Sequence, residues 1–423
     1  MKLRHLLHSS LCLLPVSAAL SALTPAEQKL AGWADAHHEE FATDLGAAIS
    51  IDSATENLAG VRAMGELFAG QLAALGFEAH FVPLPEATGR AGHLIAEHKG
   101  TRGKRVLLIG HLDTVYPGAN FKREGNIVHG AGVADMKGGD VVLIHALRAL
   151  QAAGQLGDAQ IIVIMTGDEE APGTPLEVVR KDLLEVAGRS DVALAFENAI
   201  GKTGTVARRG AIGWLLEVQG VTGHSSGIFS AVMGDGSVFE TARILSGFHD
   251  ELKKMDGVTV NPALVAGGAD GDLSRTGGKV AGKTNIIAQR TLVRGDLRTI
   301  SAAQLAGAKA KMQEVVTHHL PRTSATLQFF EGYPAMQDSP ANRALLAQLD
   351  AASRDLGTGE ITAFDPRGRG AGDAAFVSPP LPTVDGLGLG GKGEHTTNEA
   401  ADLSAAPDLV KRAAVLISRL TRG

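Results

Sequence analysis

The stretch Arg105-Val106-Leu107-Leu108-Ile109-Gly110-His111-Leu112-Asp113-Thr114 decides the reading of the fold. Its first six residues form a short apolar run closed by glycine, the pattern of a strand covered on both faces. Working outward, Lys137 to Ala153 carries Val141, Ile144, Leu147 and Leu150 three residues apart, near enough to helical spacing to give one apolar stripe. His145 and Arg148 fall beside that stripe, and Gly154 ends the segment. Gln160 to Thr166 and Asp191 to Phe196 are two further apolar strands. Strands alternating with helices of this length predict a mixed α/β sheet flanked by helices, with functional groups at the strand ends. A polar helix is expected before them, from Thr24 to Phe41.

The texture changes near Gly210. Trp214 to Val218 reads as a half-exposed strand, followed by a helix from Ser237 to Lys254 and two strands around Asn285 to Leu297. A helix from Ala302 to His319 and a strand from Ala325 to Phe330 come next. This is the order of a compact α+β module, assigned to 210–325 and inserted between 23–209 and 326–423 of a first domain. The chain closes with a helix over Asp402 to Leu420.

Composition narrows the function classes. Hydrophobic residues make up 44% and charged residues 20%, so the chain has enough apolar surface to fold and is not a disordered segment. A net charge of −6 with no lysine or arginine run argues against a nucleic-acid partner. Lys2, Arg4 and His5, the apolar stretch Leu6 to Leu20 and the small residues Ala18, Ala19, Ser21 and Ala22 read as a signal peptide over 1–22. The alternative is an N-terminal membrane anchor, for which the stretch is short. Leu11 before Cys12 speaks against a lipoprotein, and removal of the signal takes away the only cysteine. A periplasmic or secreted protein, free of the membrane after cleavage, is the expectation.

Five segments carry chemistry. His111-Leu112-Asp113 directly follows a strand; such a pair alone is usually structural, but at a strand end His111 can bind a metal while Asp113 takes the proton of its other nitrogen. Gly130 to Gly139 is a glycine-rich turn opening a helix, without the order of a phosphate-binding loop, and Asp135 in it could bridge two cations. Lys137 there reads as a solvated helix-start residue. Asp168-Glu169-Glu170 follows the second strand, and three successive acids repel unless solvated or relieved by cations. With metals present, Glu170 is the ligand and Glu169 the general base. Glu197, after the third strand, faces either a polar site or solvent, and His395, in a loop after the glycine-rich run Gly386 to Gly391, completes the set. Two imidazoles with several carboxylates suit zinc, and the lack of further cysteines excludes a thiolate site.

The order His-x-Asp, Asp, Glu-Glu, Glu, His resembles the di-zinc metallopeptidases that include bacterial glutamate carboxypeptidase, aminoacylase, acetylornithine deacetylase and succinyl-diaminopimelate desuccinylase. The interval between Glu197 and His395 leaves room for the inserted module that a related aminopeptidase family lacks. The resemblance implies two Zn2+ per chain, one on His111 and Glu197, the other on Glu170 and His395, with Asp135 bridging. It implies attack by zinc-bound hydroxide on small peptides or N-acyl amino acids, with Glu169 moving the proton. The module would be a lid and homodimerisation domain whose His224 reaches a partner's site, and whose Asn285 and Arg298 hold polar groups of the substrate. Glutamate at 197 favours a carboxypeptidase-like activity; the rival readings are an N-acyl amino acid deacylase and a non-catalytic dimeric binding protein. Two departures bear on specificity. Ile287-Ala288 stands where the family has Ile-Pro, and Arg369-Gly370-Ala371-Gly372-Asp373 replaces a glycine-glycine-small-serine-aspartate loop, bringing Arg367 and Arg369 near the site.

Overall fold

The computed structural model describes residues 23–422, so the signal peptide expected at 1–22 lies outside the described residues. A six-stranded sheet runs in the order Glu78–Pro83, Gly92–His98, Ala159–Thr166, Arg102–His111, Val192–Ala195, Thr383–Val384. Glu78–Pro83, Gly92–His98 and Ala159–Thr166 pair antiparallel, whereas Arg102–His111 is parallel to both of its neighbours. The sheet is therefore mixed, as the sequence predicts. Its central strand alternates between two cores, with Val106 and Leu108 in one and Leu107 and Ile109 in the other. That two-sided burial is why the run is apolar at every position.

One core lies under the helices Leu58–Ala73, Lys137–Ala152, Pro340–Asp355 and Ala406–Leu420. The other is closed by Lys181–Gly188 and Ala374–Val377. Lys137–Ala152 is buried almost all round rather than along one stripe, because helices from both ends of the chain pack on it. Two of its polar residues are paired: His145 Nε2 lies 2.8 Å from Asp44, and Arg148 donates to Asp44 at 2.6 Å and Glu40 at 2.7 Å, whereas the buried Asp140 carboxylate has no hydrogen-bond partner.

The single helix expected from Thr24 to Phe41 is two, Pro25–Ala36 and His38–Ile49. The chain turns at His37, whose ring stacks on Trp33 at 4.1 Å and whose Nδ1 meets the Trp33 carbonyl at 2.7 Å. Thr24 and Glu27 form a reciprocal capping box on the first helix. The same Glu27 carboxylate accepts from Arg419 at 2.8 Å and from Arg422, tying the first helix to the last.

A second, antiparallel sheet runs Thr259–Gly268, Arg290–Thr299, Gly210–Gln219, Ser324–Phe329. Along Gly210–Gln219, burial alternates strictly, and Ile212, Trp214, Leu216 and Val218 meet the helices Gly236–Leu252 and Ala302–Thr317. Around Asn285 to Leu297 there is one strand and not the expected two, because residues 283–289 form a loop. The missing partner is Thr259–Gly268, an edge strand so exposed that its sequence carries little apolar pattern. Among the described residues, no helix is long and apolar enough to cross a membrane.

Glu27 links packing to pH. Burial alone would raise its pKa, but the hydrogen bonds from Arg419, the Thr24 amide and Arg422 bring it down to about 2 from 4.5. Its contribution is therefore present above pH 4.5 and lost as pH falls through 2. Urea unfolding of Glu27→Gln should show a loss of about 2 kcal/mol at pH 7, from one cap and one charged hydrogen bond. The gap to the wild type should narrow steadily below pH 4.5. A gap that stays constant with pH would show that the ion pair contributes nothing.

Candidate metal centre and active site

Three adjacent parallel strands end together and bring their following residues to one place. His111 is the last residue of Arg102–His111, Glu169 and Glu170 lie just beyond Ala159–Thr166, and Glu197 lies just beyond Val192–Ala195. Asp135 arrives on the turn that opens the helix Lys137–Ala152. His395 comes from the far end of the chain, on a loop held against that turn by pairing of Ala400–Asp402 with Ile127–His129.

The two carboxylate oxygens of Asp135 face different partners. Oδ1 lies 3.3 Å from His111 Nε2, and that nitrogen is 3.8 Å from Glu197 Oε1. Oδ2 lies 3.0 Å from His395 Nε2, which is 3.4 Å from Glu170 Oε2. Donor atoms of His111, Glu169 and Glu197 also lie within 4.8 Å of one another, as do those of His111, Asp135 and Glu170. The structure thus brings together all five expected ligands and Glu169.

Asp113 does more than the sequence reading assigned to it. Its main-chain carbonyl, 3.0 Å from His111 Nδ1, is the nearer acceptor, and its carboxylate stands at 3.4 Å. That carboxylate accepts the amides of Glu169 at 3.0 Å and Glu170 at 3.1 Å and the Thr55 hydroxyl at 2.7 Å, so it shapes the acidic turn.

Glu399 is a residue that the sequence reading missed. Its buried carboxylate accepts the amides of Gly132, Ala134 and Asp135 at 2.8–2.9 Å and thereby fixes the Asp135 turn. Gly132 in that turn has φ +77°, and a Cβ there would sit 2.5 Å from Thr114 Cγ2. Lys137 is not solvated, contrary to expectation: it is fully buried, its Nζ donates to the Ile51 carbonyl at 2.8 Å, and burial holds its pKa down at about 8.

A second missed group lies behind Glu169. Tyr333 donates its hydroxyl hydrogen to the Glu169 carbonyl at 2.6 Å and accepts from the buried Arg180 at 2.7 Å. Arg180 in turn pairs with Asp168 and with Asp373 at 3.0 Å.

Burial, with the charge of Glu197, pushes the Glu169 carboxyl well up, and burial with Asp135 brings Glu170 up to about 7. Hydrogen bonds from its ring to the Asp135 and Glu170 carboxylates raise His395 to about 11. The acids can keep their charge only if positive charge arrives. Glu170 Oε1 is buried without a hydrogen-bond partner, an open acceptor of the kind a cation would fill. Two imidazole nitrogens and three carboxylates, one of them shared, are a donor set that fits divalent zinc.

A cavity of about 520 Å³ opens onto this set, with Asn198, Arg208, Arg369 and Glu394 on its walls. Arg208 is paired with Asp385 and stands 3.7 Å from Glu197. Arg367 is not at the site; it is exposed and bound to Asp365 at 2.7 Å. His224, Asn285 and Arg298 do not line the cavity of their own chain. His224 is exposed and bonded to Ser226 Oγ at 2.8 Å, and the Asn285 carbonyl accepts from the Ser225 amide. Arg298 pairs with Asp296 at 2.8 Å on the second sheet.

Comparison with known proteins agrees with this geometry. The profile of peptidase family M20/M25/M40 matches residues 107–420. The chain is 26% identical over 393 residues to carboxypeptidase G2 of Pseudomonas sp. (strain RS-16), covering 89% of this chain and 88% of that protein. It is 29% identical over 363 residues to the succinyl-diaminopimelate desuccinylase of Gluconobacter oxydans, covering 82% and 89%. In fold it is similar to aminopeptidase PepT from Bacillus cereus, with TM-score 0.71 at 18% identity over 91% of this chain and 99% of that one. A metallo-carboxypeptidase from Sulfolobus solfataricus gives TM-score 0.65 at 15% identity over 90% and 98%. With the profile spanning most of its length and the metal-type donor set at its strand ends, the chain belongs to peptidase family M20/M25/M40 and is a metal-dependent hydrolase.

Proposed function

We propose that the enzyme cleaves the amide bond of small peptides or N-acyl amino acids, in the manner of a glutamate carboxypeptidase, with two zinc ions per chain. The observation that carries this reading is the division of Asp135, one oxygen toward His111 and Glu197 and the other toward His395 and Glu170. Each half would hold one ion. Bound zinc supplies Lewis acidity, which polarises the scissile carbonyl and acidifies a water.

The remaining work belongs to the chain. Glu169, beside His111 and Glu197, takes the proton of the attacking water and passes it to the departing amine. Asp113 grips its amide and Tyr333 its carbonyl, so the base stands ready without reorganisation. An N-acyl amino acid deacylase would use the same groups on the same bond, and the desuccinylase among the relatives keeps that reading open.

The helix Gly236–Leu252, which packs on the second sheet, and the loop before it carry the proposed dimer contact. Phe229 in that loop and Phe239 on the helix pack together at 5.5 Å yet are 64% and 51% exposed, an apolar pair open to a partner. Paired there, the exposed His224 would serve a partner's oxyanion, and Asn285 and Arg298 the substrate. Export to the periplasm or the medium, after loss of 1–22, is also proposed.

Mass spectrometry of the purified protein should find two zinc ions per chain, and chelation should abolish hydrolysis of peptidyl and N-acyl glutamate. Folded protein that binds no zinc and stays inactive when zinc is restored would refute the hydrolase reading. Glu169→Gln should lower kcat about 10²- to 10⁴-fold, the share general-base catalysis commonly supplies, with zinc content unchanged. In sedimentation, the wild type should run as a dimer and the double variant Phe229→Asp/Phe239→Asp as a monomer. Mixing the inactive variants Glu169→Gln and His224→Ala should restore part of the activity if His224 works across the interface, and none if it does not.

A further inference from the structure

Arg369 is only 3% exposed, yet among the described residues its guanidinium has no carboxylate within salt-bridge distance. Its Nη1 donates to Asn198 Oδ1 and its Nη2 to the Asn198 carbonyl, both at 2.7 Å, and its Nε has no partner. Every other arginine buried near the site is paired: Arg208 with Asp385, and Arg180 with Asp168 and Asp373. A buried charge without a counter-ion is costly, and burial with the nearby Arg208 already holds the Arg369 pKa below its ordinary value. The acids that partly compensate it across space are Asp385, Glu197 and Asp135, and the last two belong to the proposed metal set. Once cations neutralise those two, Arg369 is short of negative charge. It stands on the cavity wall among Gly368, Gly370 and Ala371, which leave room beside it.

We infer that Arg369 is a specificity determinant, and that the cavity takes substrates with a second carboxylate, beyond the main-chain carboxylate common to all N-acyl amino acids, which Arg369 pairs with on binding. This rests on the hydrolase reading above and names its substrate class. The carboxylate can sit on the amine side of the scissile bond or on the acyl side. Asn198 keeps the guanidinium oriented, and its Nδ2 also donates to Glu394 at 3.1 Å, so the wall is braced before substrate enters.

The test uses zinc-loaded enzyme and two matched pairs, N-acetylglutamate with N-acetylglutamine, and N-succinylalanine with N-butyrylalanine. The wild type should prefer the dianionic member of one pair, which identifies the side. Arg369→Gln should lower kcat/KM for that member by about 10- to 100-fold, the effect of one charged hydrogen bond, with little change for its monoanionic partner. Arg369→Lys, which keeps a cation, should retain part of the preference, and thermal unfolding checks that both variants fold. Equal losses on dianionic and monoanionic substrates would overturn the inference while leaving the hydrolase intact. Calorimetric binding of glutarate against its monoamide decides the matter independently of turnover. If the wild type and Arg369→Gln bind glutarate equally, the inference fails, even should all four substrates go uncleaved.

Discussion

Five carboxyl groups, those of Asp113, Asp135, Glu169, Glu170 and Glu197, are drawn to one edge of a buried sheet, and like charges in such a place repel strongly. The architecture around them answers that repulsion. Asp113 spends its charge on two main-chain amides and a hydroxyl. Asp135 divides its oxygens between two imidazoles. What remains, on Glu169, Glu170 and Glu197, is relieved only by protons or cations, which is the electrostatic content of belonging to a metal-dependent family.

Holding so many acids in place requires a frame that does not itself titrate away. The frame here is largely main chain. Glu399 gathers three consecutive-turn amides and so aims Asp135, though it touches no histidine. Tyr333 reaches the carbonyl of Glu169 from behind, backed by the buried ion group of Arg180, Asp168 and Asp373. These residues are far apart in the chain and become neighbours only through the sheet order. Their removal would disturb the geometry of the acids without removing a single one of them.

The sequence made the site more legible than its surroundings, for a physical reason. Apolar runs such as Arg105 to Gly110 signal two-sided burial through the residues themselves, and an acid or histidine at the end of such a run has few structural uses. The expected ligands were therefore visible one strand at a time. Glu399, Arg180 and Tyr333 left no such mark, because a side chain whose partner lies more than a hundred residues away has no local pattern. Lys137 was misread for a related reason, since its acceptor, the Ile51 carbonyl, is also distant in sequence. In the second sheet, Thr259–Gly268 escaped notice because an exposed edge strand lacks the alternation by which strands are recognised. The turn at His37 was hidden for the opposite reason: helical pattern continues on both sides of it.

The return of the chain to the site through His395 has a consequence for how the enzyme is made. In chain order His111, Asp135, Glu169, Glu170 and Glu197 leave the ribosome before the residues of the second sheet, which follow as one contiguous block. The last edge strand of the first sheet, the brace from Glu399 and the second imidazole all emerge only after that block. Until then, the acidic edge is present but unaimed, so a nascent chain carries the chemistry of the site without its competence.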